Sequence, residues 1–391
     1  MRIAFISVRP AYIANGTAHY DAANGRLIQG LNQKIEHFSL VAYQDSKQQS
    51  YYNTPIAPSK LYTYPWVGSY IGAFRLRKAI AMVLQQVQQE NDLLIVQLPF
   101  HAFWLLPRLY KPTIFHICAN VVTAAQNPVK YGGWRGVVAR FLARRIDSAY
   151  RKAMRHVPSR VIANGQELAD MYPGEGTRAV VSTSLLESDI VSEAQVLEKW
   201  EQRAAVEAPE LLFVGRPTLE KGGDLLAQAL VKLKELGQVA NLTVVGATEA
   251  GFWGHNAHVD ELRELDIPIR FLGEVPFGKE LFAIFDRADI VVLPSRNEGT
   301  PRVLVEARAR GCIVVATHVG GIPTSVQHQA DGWLVQPENA EALAEGIHTV
   351  WSNPGLRKEL MVNGRNRVSS LTVNDFCKPF LDCIDELAAH E

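Results

Sequence analysis

Apolar runs of five to seven residues recur along the whole chain, separated by segments of helical periodicity. In the first half they are RIAFISV (2–8), HFSLVAY (37–43), LLIVQLP (93–99), TIFHICA (113–119) and RVIAN (160–164). In the second half they are LLFVG (211–215), NLTVVG (241–246), IRFLG (269–273), DIVVLP (289–294), CIVVAT (312–317) and GWLVQP (332–337). Near-continuous apolar strands between helices read as βα repeats, in which a parallel sheet is covered on both faces. Between the two series lies LLESDIVSEAQVLEKWEQRAAVEAPE (185–210), charged, helical in pattern and without a strand. The expected fold class is therefore α/β. Two doubly wound, Rossmann-like parallel-sheet domains, 1–205 and 206–370, should face each other across a cleft. A helical tail over 371–391 is expected, able to pack back on the first domain. Ligands of such sheets bind outside the carboxyl ends of the strands.

Lys and Arg number 40, as do Asp and Glu, so global charge selects neither a nucleic acid nor an acidic partner. The four cysteines, Cys118, Cys312, Cys377 and Cys383, lack C-x-x-C spacing, which argues against a disulfide framework or a zinc site. The opening MRIAFISV reads as a strand rather than a signal peptide, and no apolar run is long enough to span a bilayer. A cytoplasmic protein is the default expectation.

In LLFVGRPTLEKGGDLL (211–226) a strand ends at Gly215, Arg216 and Lys221 follow in a loop, and a helix starts near Gly223. A helix start with a glycine beside it and two nearby cations suits a diphosphate; a surface turn with two solvated basic residues is the alternative. The loop is neither a Walker A sequence nor G-x-G-x-x-G. Downstream, NEGTPRVLVEARARG (297–311) places Glu298 in the loop after a buried strand and Glu306 inside a helix. Thr300 is expected as N-cap and Pro301 as the first helical residue, with Val303, Leu304 and Ala307 on the buried face. A loop carboxylate can accept from ligand hydroxyls, and a deeper one can accept twice from a vicinal diol. The turn at Gly299 and Thr300 offers backbone N–H groups to phosphate.

These stretches resemble the retaining GT-B glycosyltransferases of family 4. VGRPTLEKGG (214–223), FLGEVPFGKELFAIFDRADIVVLPSRNEGTPRVLVEARARG (271–311), GCIVVATHVGGIPTSV (311–326) and DGWLVQPENAEALAEGI (331–347) carry the likeness, which covers most of the second half. Glu298 and Glu306 match the family's E-x7-E pair. The resemblance implies Glu306 on the nucleotide ribose and Glu298 on the donor-sugar hydroxyls. It also implies Arg216 and Lys221 on the diphosphate, and Phe271, Leu272 and Glu274 at the base. The donor is then a nucleotide-diphosphate sugar, with no separate cofactor. With no D-x-D motif, charge on the leaving diphosphate would be met by fixed cations and helix dipoles rather than a metal. A nucleotide-sugar 2-epimerase and a non-catalytic nucleotide-sugar binder are rival readings of the same fold.

The first half departs from the family pattern. Asn15-Gly16-Thr17 stands where the family carries a Gly-Gly loop, with Gly16 as the nearest equivalent and His19 close by. In KPTIFHICANVV (111–122) Cys118 occupies the place of the family's sugar-facing histidine. His116, two residues earlier, is expected on the same face; either it takes that role or the position is altered. Gln97 also stands where a histidine is common, with His101 downstream. Finally, 130–160 carries Lys130, Arg135, Arg140, Arg144, Arg145 and four further cations against the single acid Asp147. This is either an amphipathic helix with a solvated basic face or a patch for anionic lipid or an anionic acceptor. The latter would make the protein peripheral on the cytoplasmic face of a membrane, working on a saccharide or lipid-linked acceptor.

Overall fold

The structure, a computed structural model, describes residues 1–45, 52–65, 67–126, 133–174, 176–216, 218–253 and 258–389. It divides into two compact units, Met1–Val180 with Val373–Glu391, and Val181–Thr372. The division falls before the segment 185–210, not near 205. That segment's helix, Glu193–Arg203, belongs to the second unit because its charges have partners there: Arg203 grips Asp289 through two bonds, of 2.9 and 2.6 Å. Val196 is buried in the second unit's core.

Among the described residues the first unit holds nine strands: β1 (Arg2–Ala14), β2 (Thr17–Tyr20), β3 (His37–Asp45), β4 (Thr54–Ile56), β5 (Lys60–Pro65), β6 (Leu93–Leu98), β7 (Thr113–Ile117), β8 (Ser159–Asn164) and β9 (Arg178–Val180). The parallel part runs β5-β3-β1-β6-β7-β8-β9. β1 shifts register between Ile6 and Pro10, where proline has no N–H for the ladder. Past this kink it turns into an antiparallel hairpin with β2, which pairs in turn with β4. Asn15 (φ 47°) and Gly16 (φ 74°) form the hairpin turn, the left-handed pair that Asn-Gly favours. The stretch that stands where the family carries a Gly-Gly loop is thus a hairpin turn: Gly16 sits at its tip, and His19 lies across from Tyr12.

The tail forms the helix Val373–Ala388, packed on the helix Ala22–Lys34 and on β7–β9 of the first unit. Phe376, Cys377, Phe380, Cys383, Ile384 and Leu387 fall on one helical face, at the spacing i, i+1, i+4, i+7, i+8, i+11, and are all buried. A β-carbon at Gly30 would lie 2.9 Å from Cys377 Sγ, so the helices cross closely. This helix also settles His116. The imidazole is only 2% exposed, with its ring edge-on to Phe376 and Phe380 and Nε2 3.1 Å from Asn164 Oδ1. His116 is a packing residue rather than a ligand-facing one. Cys118 lies just past β7, half-buried, with Sγ 3.7 Å from both ring nitrogens of His116.

The second unit, among the described residues, has six strands: β10 (Glu210–Val214), β11 (Asn241–Val245), β12 (Ile269–Phe271), β13 (Ile290–Leu293), β14 (Ile313–Thr317) and β15 (Trp333–Val335). All are parallel, in the order β12-β11-β10-β13-β14-β15. Every residue of β13 and β14 is buried, as a sheet covered on both faces requires. Each sequence-assigned apolar run overlaps one of these strands or one in the first unit; β2, β4, β5 and β9 carry no such run. No helix among the described residues is long and apolar enough to cross a membrane.

Two outcomes follow for the tail. Phe380 is fully buried, so Phe380→Ala should cost the first unit about 3–5 kcal/mol, read as a lowered denaturant midpoint. An unchanged midpoint would show that the helix is not part of that core. Glu386 bonds Arg160 at 2.7 Å and also pairs with Arg178. The Arg160 bond holds the Glu386 carboxyl below its ordinary value of 4.5, against the upward push of burial and with help from Arg178. A depressed carboxylate stabilises fully above its unfolded pKa and loses that contribution as pH falls through the folded one. Thermal stability of the wild type should therefore fall more steeply below about pH 4.5 than that of Glu386→Gln; parallel curves would rule the linkage out.

Candidate functional site

The strand order of the second unit reverses between β10 and β13, so the chain leaves these two neighbours in opposite directions. A crevice outside their carboxyl ends is the place where such sheets hold ligands. From β10 come Gly215 and Arg216, then the short turn Leu219–Lys221 and the helix Gly223–Glu235. From β13 come Ser295, Glu298, Gly299 and Thr300, then the helix Arg302–Ala309.

Glycines let the two loops touch. Gly222 has φ 71°, and a β-carbon there would stand 2.0 Å from the carbonyl oxygen of Pro294. Arg296 then clamps the loops, donating to both carboxylate oxygens of Asp224 at 2.7 and 2.8 Å. It also donates to Leu219 O and to Glu338. A third loop closes on the second: a β-carbon at Gly320, φ 54°, would meet Glu298 O at 1.8 Å, and Gly321 N–H donates to Glu298 O at 3.2 Å.

Within this frame Lys221 Nζ lies 2.6 Å from Glu298 Oε1, and Ser295 Oγ donates to the same oxygen at 2.7 Å. Neither bond uses Oε2. Lys221 has three donors and spends one on Glu298. The Arg216 guanidinium is exposed and has no side-chain partner among the described residues. Glu306 is 6% exposed and accepts from Ser184 Oγ at 3.3 Å.

The helix carrying Glu306 differs from expectation at its start. Pro301 is the N-cap and no side chain caps the helix. Thr300 does not serve because its hydroxyl oxygen accepts the N–H of Ser182 at 2.9 Å. A helix start without a side-chain cap retains donors for an outside acceptor. Leu304 is fully buried and Val303 half-buried, so any contribution of Leu304 to a ligand is through its backbone.

The opposite rim is formed by β10, β11 and β12. Gly215 N–H donates to Val245 O, Leu272 N–H to Val244 O, and Gly246 N–H to Gly273 O. Gly246, φ 92°, has no room for a β-carbon against Gly215 O. Gly215 and the Phe271–Glu274 stretch therefore share one rim. Leu272 and Glu274 are exposed, while Phe271 leans on Phe252.

Sequence reading brought out Lys221, Glu298 and Glu306 but missed Ser184, Ser295, Arg296 and Arg308. Arg308 is wholly buried, donating to Leu304 O and Ser325 Oγ at 3.0 Å each and pairing with Asp331 at 3.2 Å. Burial pulls its guanidinium down to about 10, against the opposing pull of Asp331. Only the alternation of Arg308 with Glu306 on a helix otherwise full of Val, Leu and Ala hinted at it. Gly16 and His116 belong to the first unit.

Residues 196–367 match the family model described as Glycosyl transferases group 1. An uncharacterized glycosyltransferase of Methanocaldococcus jannaschii is 34% identical over 164 residues, 40% of this chain and 40% of that protein. The D-inositol 3-phosphate glycosyltransferase of Corynebacterium aurimucosum is 39% identical over 140 residues, 34% of this chain and 33% of that protein. The chain thus spans well under half the length of these relatives. Over its whole length it is similar to sucrose-phosphate synthase from Thermosynechococcus elongatus, at 18% identity and a TM-score of 0.70, covering 100% of both chains. HepE of Anabaena in complex with UDP-glucose is similar over 100% of both chains, at 19% identity and a TM-score of 0.63. The fold is accordingly the α/β GT-B class that the sequence implied, and the stretch that builds the crevice is the one that matches group 1 glycosyl transferases.

Proposed function

We propose that the protein is a retaining, metal-independent glycosyltransferase. It moves a hexose-type sugar from a nucleotide-diphosphate sugar to a saccharide or lipid-linked saccharide acceptor, in polysaccharide or glycoconjugate biosynthesis. The observation that carries this is the juxtaposition of Lys221 with Glu298 at 2.6 Å in the crevice where the strand order reverses. A cation for a diphosphate and a carboxylate for sugar hydroxyls are held side by side there, as the bond between the two groups requires. The matched family and a structural neighbour whose crystal holds UDP-glucose support the same donor class.

In this reading Glu306 accepts from the ribose diol while Ser184 steadies it. The Oε2 atom of Glu298 accepts from the donor sugar. Lys221, with two donors to spare, and Arg216 meet the diphosphate, and the helix start at Arg302 adds backbone donors. As the bond from the sugar to the diphosphate breaks, negative charge grows on the phosphate oxygens. Donors already in place stabilise that charge without reorganising. The acceptor oxygen attacks from the face the diphosphate leaves, and a departing phosphate oxygen takes its proton. The protein's part is orientation and charge stabilisation.

Turnover of labelled UDP-glucose, followed by a panel of other nucleotide sugars, tests the reading; a panel without transfer or binding would sink it. Glu306→Ala should weaken nucleotide binding by about 1.5–3 kcal/mol, the scale of a hydrogen bond to a charged group, measured by calorimetry. Glu298→Ala should instead lower turnover with little effect on binding of the sugar-free nucleotide. Equal nucleotide affinities in wild type and Glu306→Ala would remove the ribose assignment. Lys221→Ala should cost about 2–4 kcal/mol in kcat/KM, and wild-type rates should survive EDTA. Chelator-induced loss restored by a divalent metal would overturn the metal-independent scheme.

A further inference from the structure

Helix Gly133–His156 of the first unit carries two apolar faces. Ala143, Ile146, Tyr150 and Ala153 are buried at helical spacing, and the helix packs on the turn Phe103–Arg108 and on β8. On the opposite side, Trp134, Val137, Val138 and Phe141 follow the spacing i, i+3, i+4, i+7, and are 73, 60, 54 and 64% exposed. Single exposed apolar side chains are ordinary, but four forming one stripe on a two-turn surface are not. Lys130, just before this helix, lies outside the described residues.

Cations border the stripe. Arg135 lies over the Trp134 ring at 5.9 Å and Arg145 over the Phe141 ring at 5.6 Å. Arg140 and Arg144 are exposed alongside, and none of the four has an acidic partner among the described residues. The nearby acid, Asp147, is held by Arg151 and by the Tyr172 hydroxyl. A second patch adjoins the same turn: exposed Phe74 stacks edge-on to Trp104, with Arg77 over its ring.

We propose that this face of the first unit seats on an anionic bilayer surface. The stripe enters the boundary between headgroups and acyl chains, and the arginines meet lipid phosphates. A helix that already buries one face against its own domain has no internal use for a second apolar face. Exposed guanidinium groups without acidic partners call for an anionic surface. A second copy of the chain fits poorly, because face-to-face pairing would set these arginines against one another. Trp134 has the amphipathic ring that favours the membrane interface.

Sedimentation of the full chain with vesicles of phosphatidylcholine and phosphatidylglycerol tests this, without any sugar donor, so the result is independent of the donor-site reading. Binding is expected at low salt and should fall as salt rises. Arg140→Gln, Arg144→Gln and Arg145→Gln together should lower partitioning roughly 100-fold and flatten the salt dependence. Trp134→Ser with Phe141→Ser should lower it at least tenfold, on the order of burying two aromatic rings. All these side chains are exposed, so the variants should keep the wild-type melting temperature. Brominated lipid should quench wild-type fluorescence more than that of Trp134→Phe. Absence of sedimentation at low salt, or wild-type binding by both multiple variants, overturns the proposal. So does a concentration-dependent dimer that Trp134→Ser with Phe141→Ser abolishes while vesicles bind nothing.

Discussion

Where the loops after β10, β11, β13 and β14 meet in the second unit, the main chains come too close for a β-carbon at three places. At Gly222 the obstacle is Pro294 O, at Gly246 it is Gly215 O, and at Gly320 it is Glu298 O. All three glycines also have positive φ, a region costly for other residues. These contacts bring Lys221 and Glu298 together, and the ion pair is the consequence rather than the cause. A partly exposed pair supplies on the order of 1 kcal/mol. Ordering one loop residue costs about 1–2 kcal/mol. A lone lysine–glutamate contact cannot hold two loops. The backbone contacts and the Arg296 fork on Asp224 can, because each satisfies several groups at once.

The buried Arg308 shows the same preference for position over stability. Removing a guanidinium from water costs several kcal/mol, and an attractive partner only offsets that when the remaining donors are satisfied. Here Leu304 O and Ser325 Oγ each accept a hydrogen bond, while Nη1 is met only by the Asp331 charge at 3.2 Å, without a hydrogen bond of its own. Asp331 in turn accepts the Gln327 N–H at 2.7 Å. The pair therefore joins the helix of Glu306 to the segment after β14 in one register, a constraint that an apolar contact of equal volume would leave loose. Glu306 gains a fixed direction from a charge pair two residues along its own helix.

Much of this was legible from the sequence, and the limits have physical causes. Parallel strands buried on both faces read as apolar runs, so β10, β13, β14 and the central strands of the first unit were visible, whereas the edge strand β12 showed through Ile269 and Phe271 although Arg270 between them is exposed. β9, three residues long with only Val180 buried, has no such signal. β2 and β4 are additions beyond the kink at Pro10, four and three residues long, too short for their alternating burial to stand out in the sequence. The E-x7-E spacing and the Gly-rich loop located the crevice because both are local. Arg296 and Asp224 are 72 residues apart, and no local pattern pairs them. The helix start was misread by one residue because the Thr300 hydroxyl is committed to Ser182, 118 residues away in sequence.

His116 illustrates the deeper limit. Period-2 alternation puts His116 and Cys118 on one side of β7, but every residue of β7 is buried, so alternation cannot say which side a ligand would reach. The covering element is the tail helix, whose Phe376 and Phe380 arrive from the far end of the chain. With Asn164 as its hydrogen-bond partner and two phenylalanine rings against its edges, the imidazole is a polar residue satisfied within the core. Of the two alternatives the sequence offered, the altered position at Cys118 is then the one left standing. An expected imidazole has not moved two residues back to resume its work; it serves packing. On the proposed reading, the stabilisation of leaving-group charge falls to Arg216, Lys221 and the helix start at Arg302, all products of the second sheet's reversal between β10 and β13.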